Sequence, residues 1–249
     1  MAAALAAGRR FLPRGYLDLF RQAAIWFGFV FAYQFARGLA DRNPAKAFVD
    51  GWRVLDFEQH VTHHVFELTL QQIAESSHFL TTLVAWTYWN SEFTVVGLAL
   101  LWVYLRRNDA FTKFRNAILL ANVLGLIGYI VLPTAPPRMF PSLGFVNTLD
   151  KFGALNHGSG IINFAANPYA AMPSLHAADA LIVGVVLAML SRRRIVKALW
   201  LLWPAWVAFA VMATGNHFWL DVVAGALLAA FTLVLVYRVR VRATIARLL

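Results

Sequence analysis

The sequence predicts an all-α, polytopic membrane bundle: six transmembrane helices with an interfacial amphipathic helix between the first two. Three observations lead there. Of 249 residues, 60% are hydrophobic and only 14% charged, whereas a soluble domain carries about 25% charged residues. The apolar residues fall into runs long enough to span a bilayer, roughly 17–25 residues each. The basic residues gather in short clusters between those runs. A net charge of +10, a pI near 10.5 and a mean hydropathy of +0.62 therefore describe a chain held against an anionic leaflet, not a nucleic-acid partner. With no cysteine, disulfides and thiolate metal sites are excluded. A single membrane domain, 1–249, is expected.

The candidate spans are 17–36, 80–105, 115–132, 175–191, 195–214 and 217–237. Asp18, Arg21 and Gln34 fray the first. The last two are separated by a tight hairpin around Thr214-Gly215-Asn216. The polar segment 37–79 contains Phe57, Val61, His64, Val65 and Leu68 at helical spacing, which predicts a helix lying in the interface. Loop 133–174 is rich in Pro and Gly, with only Arg138, Asp150 and Lys151 charged. Met1 to Ala7 is apolar ahead of Arg9, Arg10 and Arg14, the reverse of a cleavable signal's order, so retention is expected.

Basic residues orient the spans. With the N-terminus in the cytoplasm, the cytoplasmic segments hold Arg9, Arg10, Arg14 and Arg21; Arg106, Arg107, Lys113 and Arg115; Arg192, Arg193, Arg194 and Lys197; and Arg238, Arg240, Arg242 and Arg247. That is 16 of the 22 lysines and arginines. Both termini are then cytoplasmic. Loop 133–174, the start of the fourth span and the 214–217 hairpin face the periplasmic, extracytoplasmic or lumenal side.

Three features on that side carry chemistry. Pro173-Ser174-Leu175-His176 opens the fourth span, where unpaired amides and the positive dipole end welcome an anion. His217 and Asp221 are four apart, share a helical face, and form a costly ionisable pair at the mouth of a membrane helix. A carboxylate behind a histidine fixes its tautomer and raises its nucleophilicity. Arg138 closes Pro133-Thr134-Ala135-Pro136-Pro137-Arg138, and its guanidinium matches phosphate oxygens bidentately. Taken singly, each has a structural alternative: a cap, a self-satisfied pair, a snorkelling arginine. Together, two histidines and an arginine without a carboxylate cluster suit phosphoryl transfer with no metal or other cofactor.

At these residues the sequence resembles the type 2 phosphatidic acid phosphatase superfamily. Pro-Thr-Ala-Pro-Pro-Arg, Ala-Ala-Met-Pro-Ser-Leu-His and Thr-Gly-Asn-His look most like its inositolphosphotransferase (inositol phosphorylceramide synthase-like) branch, over a catalytic core of about 113–237. The resemblance implies a lipid phosphatase or phosphotransferase working through a phosphohistidine. His217 would be the nucleophile, Asp221 its orienting group and His176 the general acid–base. Arg138, Ser174 and backbone amides near Gly215 would hold the phosphoryl oxygens. It also implies a lipid phosphate or phosphodiester substrate and a polyol or other alcohol as acceptor. The sequence departs from the common phosphatase pattern at Leu175 (often glycine), at Ala210 and Val211 (often Ser-Arg) and at Val131 (often lysine). Fewer cations favour the transferase-like branch over plain hydrolysis of phosphatidate, phosphatidylglycerophosphate or a polyprenyl diphosphate. A non-catalytic lipid-binding or transport protein on the same scaffold is the alternative of another class.

Other residues are weaker candidates. His60, His63 and His64 with Glu67 have ligand-like spacing, but a solvated interfacial helix explains them. Asp179 lies within helical reach of His176, with a contact between helices as the plainer reading. Asn147, Asp150, Asn156, His157 and Asn163 are candidates for a polyol head group or simply turn formers. Trp86, Tyr88, Trp89, Trp102 and Tyr104 read as an interfacial aromatic belt.

Overall fold

A computed structural model of the protein describes residues 12–39, 43–149 and 167–245. Among these the regular structure is helical, apart from one isolated bridge between Thr134 and Ala170. In chain order the helices are α1 (Gly15–Leu39), α2 (Pro44–Thr62), α3 (Phe66–Glu75), α4 (His78–Asn90), α5 (Val96–Arg106), α6 (Asn108–Val131), α7 (Leu175–Leu190), α8 (Arg194–Ala213) and α9 (Trp219–Ile245). A π-helical turn, Ser91–Val95, joins α4 to α5 without a break. α6, α8 and Trp219–Tyr237 of α9 are each long and apolar enough to cross a membrane, and α7 is a shorter apolar helix.

The predicted interfacial helix is two helices. α2 is opened by Asn43, whose side chain accepts the Lys46 amide, and by Pro44 in the first turn, a position where its missing N–H costs nothing. It ends at His63, which takes a left-handed conformation (φ 53°) and donates its amide to Gln59 O. That break falls inside the apolar repeat read from the sequence. Phe57 and Val61 are therefore exposed, while Val65 and Leu68 pack inward against Phe140 and Phe218.

α7 occupies the middle, packed by α6, α8 and α9. Its Ile182, Val183, Val186 and Leu187 join Phe114, Ala117, Ile118 and Ala121 of α6 in the largest apolar cluster. Leu175 explains its own presence here. It is 1% exposed and lies over Gly125 of α6, where a Cβ would stand 2.6 Å from Leu175 Cδ2. A glycine on the facing helix makes room for it, so the bulk at 175 fills space instead of crowding the motif.

The two ends of the bundle differ in chemistry. At one end Arg107 Nη1 donates to Leu190 O at 3.1 Å, and Lys113 Nζ sits 4.9 Å from the Tyr237 ring centre. This is where basic clusters at 106–115 and 192–197 meet. At the other end Gly128 of α6 approaches Pro173, and the three motifs come together.

Candidate active site

Three strands of backbone hydrogen bonding lock the motifs to one another. Ser174 caps α7, its Oγ accepting the Ala177 amide at 3.3 Å, while its own amide donates to Asp221 O at 2.9 Å. Arg138 follows the proline run and a short 3-10 turn, Pro137–Met139, and its amide donates to Gly215 O at 2.8 Å. Thr134 N–H reaches Tyr169 O at 2.9 Å, holding the first motif beside the approach to the second. Residues 35 or more apart in sequence thus share a fixed frame.

Within it the two histidine rings lie 5.7 Å apart, centre to centre, and are 8% and 3% exposed for His176 and His217. Asp221 Oδ2 accepts the Phe218 amide at 2.8 Å and stands 3.5 Å from His217 Nδ1. That second distance is long for a hydrogen bond, as catalytic pairs often are before substrate binds. With Nδ1 turned to Asp221, Nε2 is the nitrogen left for chemistry. His217 lies in the loop before the α9 span; burial, and then the Arg138 guanidinium, push its pKa down to about 3. The imidazole is accordingly neutral and nucleophilic at ordinary pH. Arg138 Nη1 is hydrogen-bonded to Asn216 Oδ1, and Asn216 Nδ2 to Thr214 Oγ1 at 2.9 Å.

Gly215 plays a different part from the one expected. Its amide donates to Met212 O, and those of Asn216 and His217 both reach Val211 O. These amides finish α8 and are already committed, so they form no ready nest for phosphoryl oxygens. Gly215 instead supplies a left-handed turn (φ +69°) in which a Cβ would meet Arg138 Cβ at 3.3 Å. Its contribution is shape, and the close approach of Arg138.

Several weaker candidates resolve. Asp179 accepts the Asn122 side-chain amide at 3.1 Å on both oxygens, tying α7 to α6 rather than serving His176. His64 Nε2 meets Thr69 Oγ1 at 2.9 Å, and the left-handed break at His63 puts His60 on a different helix from the buried Glu67. Among the described residues, no group of three or more His, Cys, Asp or Glu is placed to hold a metal ion. Of the aromatics read as a belt, Trp86 and Trp102 are exposed. Tyr104 is buried with its OH on Asp18 Oδ2 at 3.0 Å. Tyr88 stacks on His176 at 4.6 Å. Asp150, Asn156, His157 and Asn163 fall outside the described residues.

Carboxylates that lie outside the three motifs also approach them. Glu92, in the π turn, puts Oε2 3.4 Å from His176 Nε2 and is itself 6% exposed. Glu58 and Glu67 reach the first turn of α9 from below. The sequence did hold a signal for Glu92, as an acid in the middle of an apolar run is by default functional. No spacing rule tied it to His176, 84 positions away.

The chain matches the family model described as the PAP2 superfamily over residues 52–235. It belongs to that superfamily. This PAP2 chain is 28% identical over 143 residues to the phosphoinositol dihydroceramide synthase of Bacteroides thetaiotaomicron, a match covering 49% of this chain and 44% of that protein. It thus spans less than half the length of this curated relative. Its fold is similar to the crystal structure of Aquifex aeolicus LpxE, with a TM-score of 0.52 at 20% identity, covering 68% of this chain and 93% of that one. As a PAP2 member it is an apolar, helical chain.

Proposed function

We propose that this PAP2 protein transfers a phosphoryl-linked head group between a lipid phosphate or phosphodiester and an alcohol, through a phosphohistidine on His217. The observation that carries the reading is the buried pair of histidines 5.7 Å apart, with a carboxylate behind one and Arg138 beside it. In the first step His217 Nε2 attacks phosphorus, the phosphorus–oxygen bond to the leaving group breaks, and protonated His176 gives its proton to the departing oxygen. In the second, an acceptor hydroxyl loses its proton to His176 and attacks phosphorus, and the nitrogen–phosphorus bond breaks to regenerate neutral His217. Arg138 balances charge on the equatorial oxygens, and Ser174 has its hydroxyl hydrogen left to donate while its oxygen caps α7.

The relative whose name is phosphoinositol dihydroceramide synthase supports a polyol such as inositol as acceptor. The six-span reading assigns α1, the α4–α5 run and α6 to α9 to the membrane, with α2 and α3 at the interface. Both termini are then cytoplasmic and the site opens on the other face.

The test uses purified protein in detergent containing EDTA and a radiolabelled lipid phosphate, with and without inositol. A labelled inositol phosphate that appears only with inositol supports transfer, and free phosphate alone supports hydrolysis. An acid-labile label on the protein that is lost in His217→Ala supports the intermediate. Full turnover by His217→Ala rules the mechanism out.

A further inference from the structure

Glu58 on α2 and Glu67 on α3 lie outside the family's three motifs, and both are 0% exposed. Glu67 Oε1 accepts the Trp219 amide at 2.7 Å, and Glu58 Oε1 accepts the Leu220 amide at 2.8 Å. Asp221 Oδ2 takes the amide just before them, Phe218, at 2.8 Å. Three successive donors, directly after His217, are each held by a carboxyl group from a different helix. The second oxygens, Glu58 Oε2 and Glu67 Oε2, have no hydrogen-bond acceptor or donor among the described residues when both groups are taken as ionised. A helix N-terminus offers about half a positive charge, which cannot balance three buried carboxylates.

We infer that Glu58 and Glu67 share one proton and act as a clamp, positioning His217 through the first turn of α9. The inference rests on the proposed role of His217. Both groups lie outside the spans. Burial raises Glu58 well above the usual carboxylate range and the charge of Glu67 raises it further; burial likewise raises Glu67. The titratable groups facing the pair are each other and Asp221 of α9, with His217 beyond it. The α8 side chains in the apolar cluster with α3 are Trp206, Phe209, Ala210 and Ala213, none of them titratable, and His60, His63 and His64 are exposed. A group with a raised folded-state pKa binds more protons folded than unfolded. The contribution is therefore whole below the ordinary carboxylate value near ~4.3 and is lost as pH rises toward the raised one. When the shared proton leaves, two adjacent anions repel across α2, α3 and the α9 amides, and the clamp loosens. Activity should then fall on the alkaline side.

The experiment measures kcat and KM of the full chain in detergent from about pH 5 to about pH 10. It also records the infrared carbonyl band of protonated carboxyl groups over the same range. Glu58→Gln and Glu67→Gln keep both amide acceptors but remove the second anion. Each should lower kcat about threefold near neutrality, move the alkaline limb up by about one pH unit or more, and abolish the carboxyl band that titrates with that limb. Glu67→Ala leaves the Trp219 amide unpaired and should lower kcat about tenfold or more with KM little changed. A limb and band that stay in place in both glutamine variants overturn the shared proton, and wild-type kcat in Glu67→Ala overturns the clamp. The band does not depend on turnover. If His217→Ala stays active, the phosphohistidine reading fails while the shared proton is still judged by its own signal.

Discussion

Glu92→Gln tests the reading of the site at its least expected residue. The substitution keeps volume and a polar tip inside the π turn but removes the charge 3.4 Å from His176 Nε2. A hydrogen bond to a charged group contributes about 1.5–3 kcal/mol. At about 1.4 kcal/mol per decade this is about a 10- to 150-fold loss of kcat. The loss should appear in kcat, because Glu92 acts on the proton that His176 gives up and takes back in the two chemical steps, not on the binding of substrate. KM should change little. Glu92→Asp shortens the arm by one methylene and should fall between wild type and the glutamine variant. π turns recur at functional sites, and Tyr88 stacked on the His176 ring fixes the ring this carboxylate addresses. The assay is release or transfer of labelled phosphate at saturating lipid. Wild-type kcat in Glu92→Gln, with His176→Ala inactive, would falsify a role for Glu92 in the chemistry.

Two further outcomes follow from the same geometry. Asp221→Asn retains an acceptor for the Phe218 amide but loses the charge behind His217, so kcat should drop at least tenfold with the melting temperature close to wild type. Asp221→Ala also strands that buried amide and should cost about 1–3 kcal/mol of stability; equal stability of the two variants in thermal melts would contradict the capping role. Gly125→Ala drives a methyl to 2.6 Å from Leu175 Cδ2 and should destabilise by about 1–3 kcal/mol as overpacking, less what alanine gains in helix propensity. Adding Leu175→Ala should return part of that stability, and strictly additive unfolding free energies in the double-mutant cycle would refute the contact.

Much of the site was written in the sequence because its signals are local. Ser174 precedes an apolar run and does cap α7. The i, i+4 spacing of His217 and Asp221 does bring their side chains within 3.5 Å. The interfacial segment was harder to read. An apolar repeat across Phe57 to Leu68 carries no mark of the left-handed break at His63, which is set by hydrogen bonds around Thr62 and His63. Gly215 was read as a phosphate donor because motif spacing cannot reveal that its amide is already spent on Met212 O.

The sequence by itself determined the class of the molecule, the apolar helices, the basic clusters and the motif residues, since hydropathy, charge and i, i+4 geometry act over a few residues at a time. Only the tertiary structure decided which acids stand near which histidine. Glu92, Glu58 and Glu67 reach the motifs from helical segments distant in sequence, and a buried carboxylate acquires its meaning from the donors that packing places within about 3 Å of it.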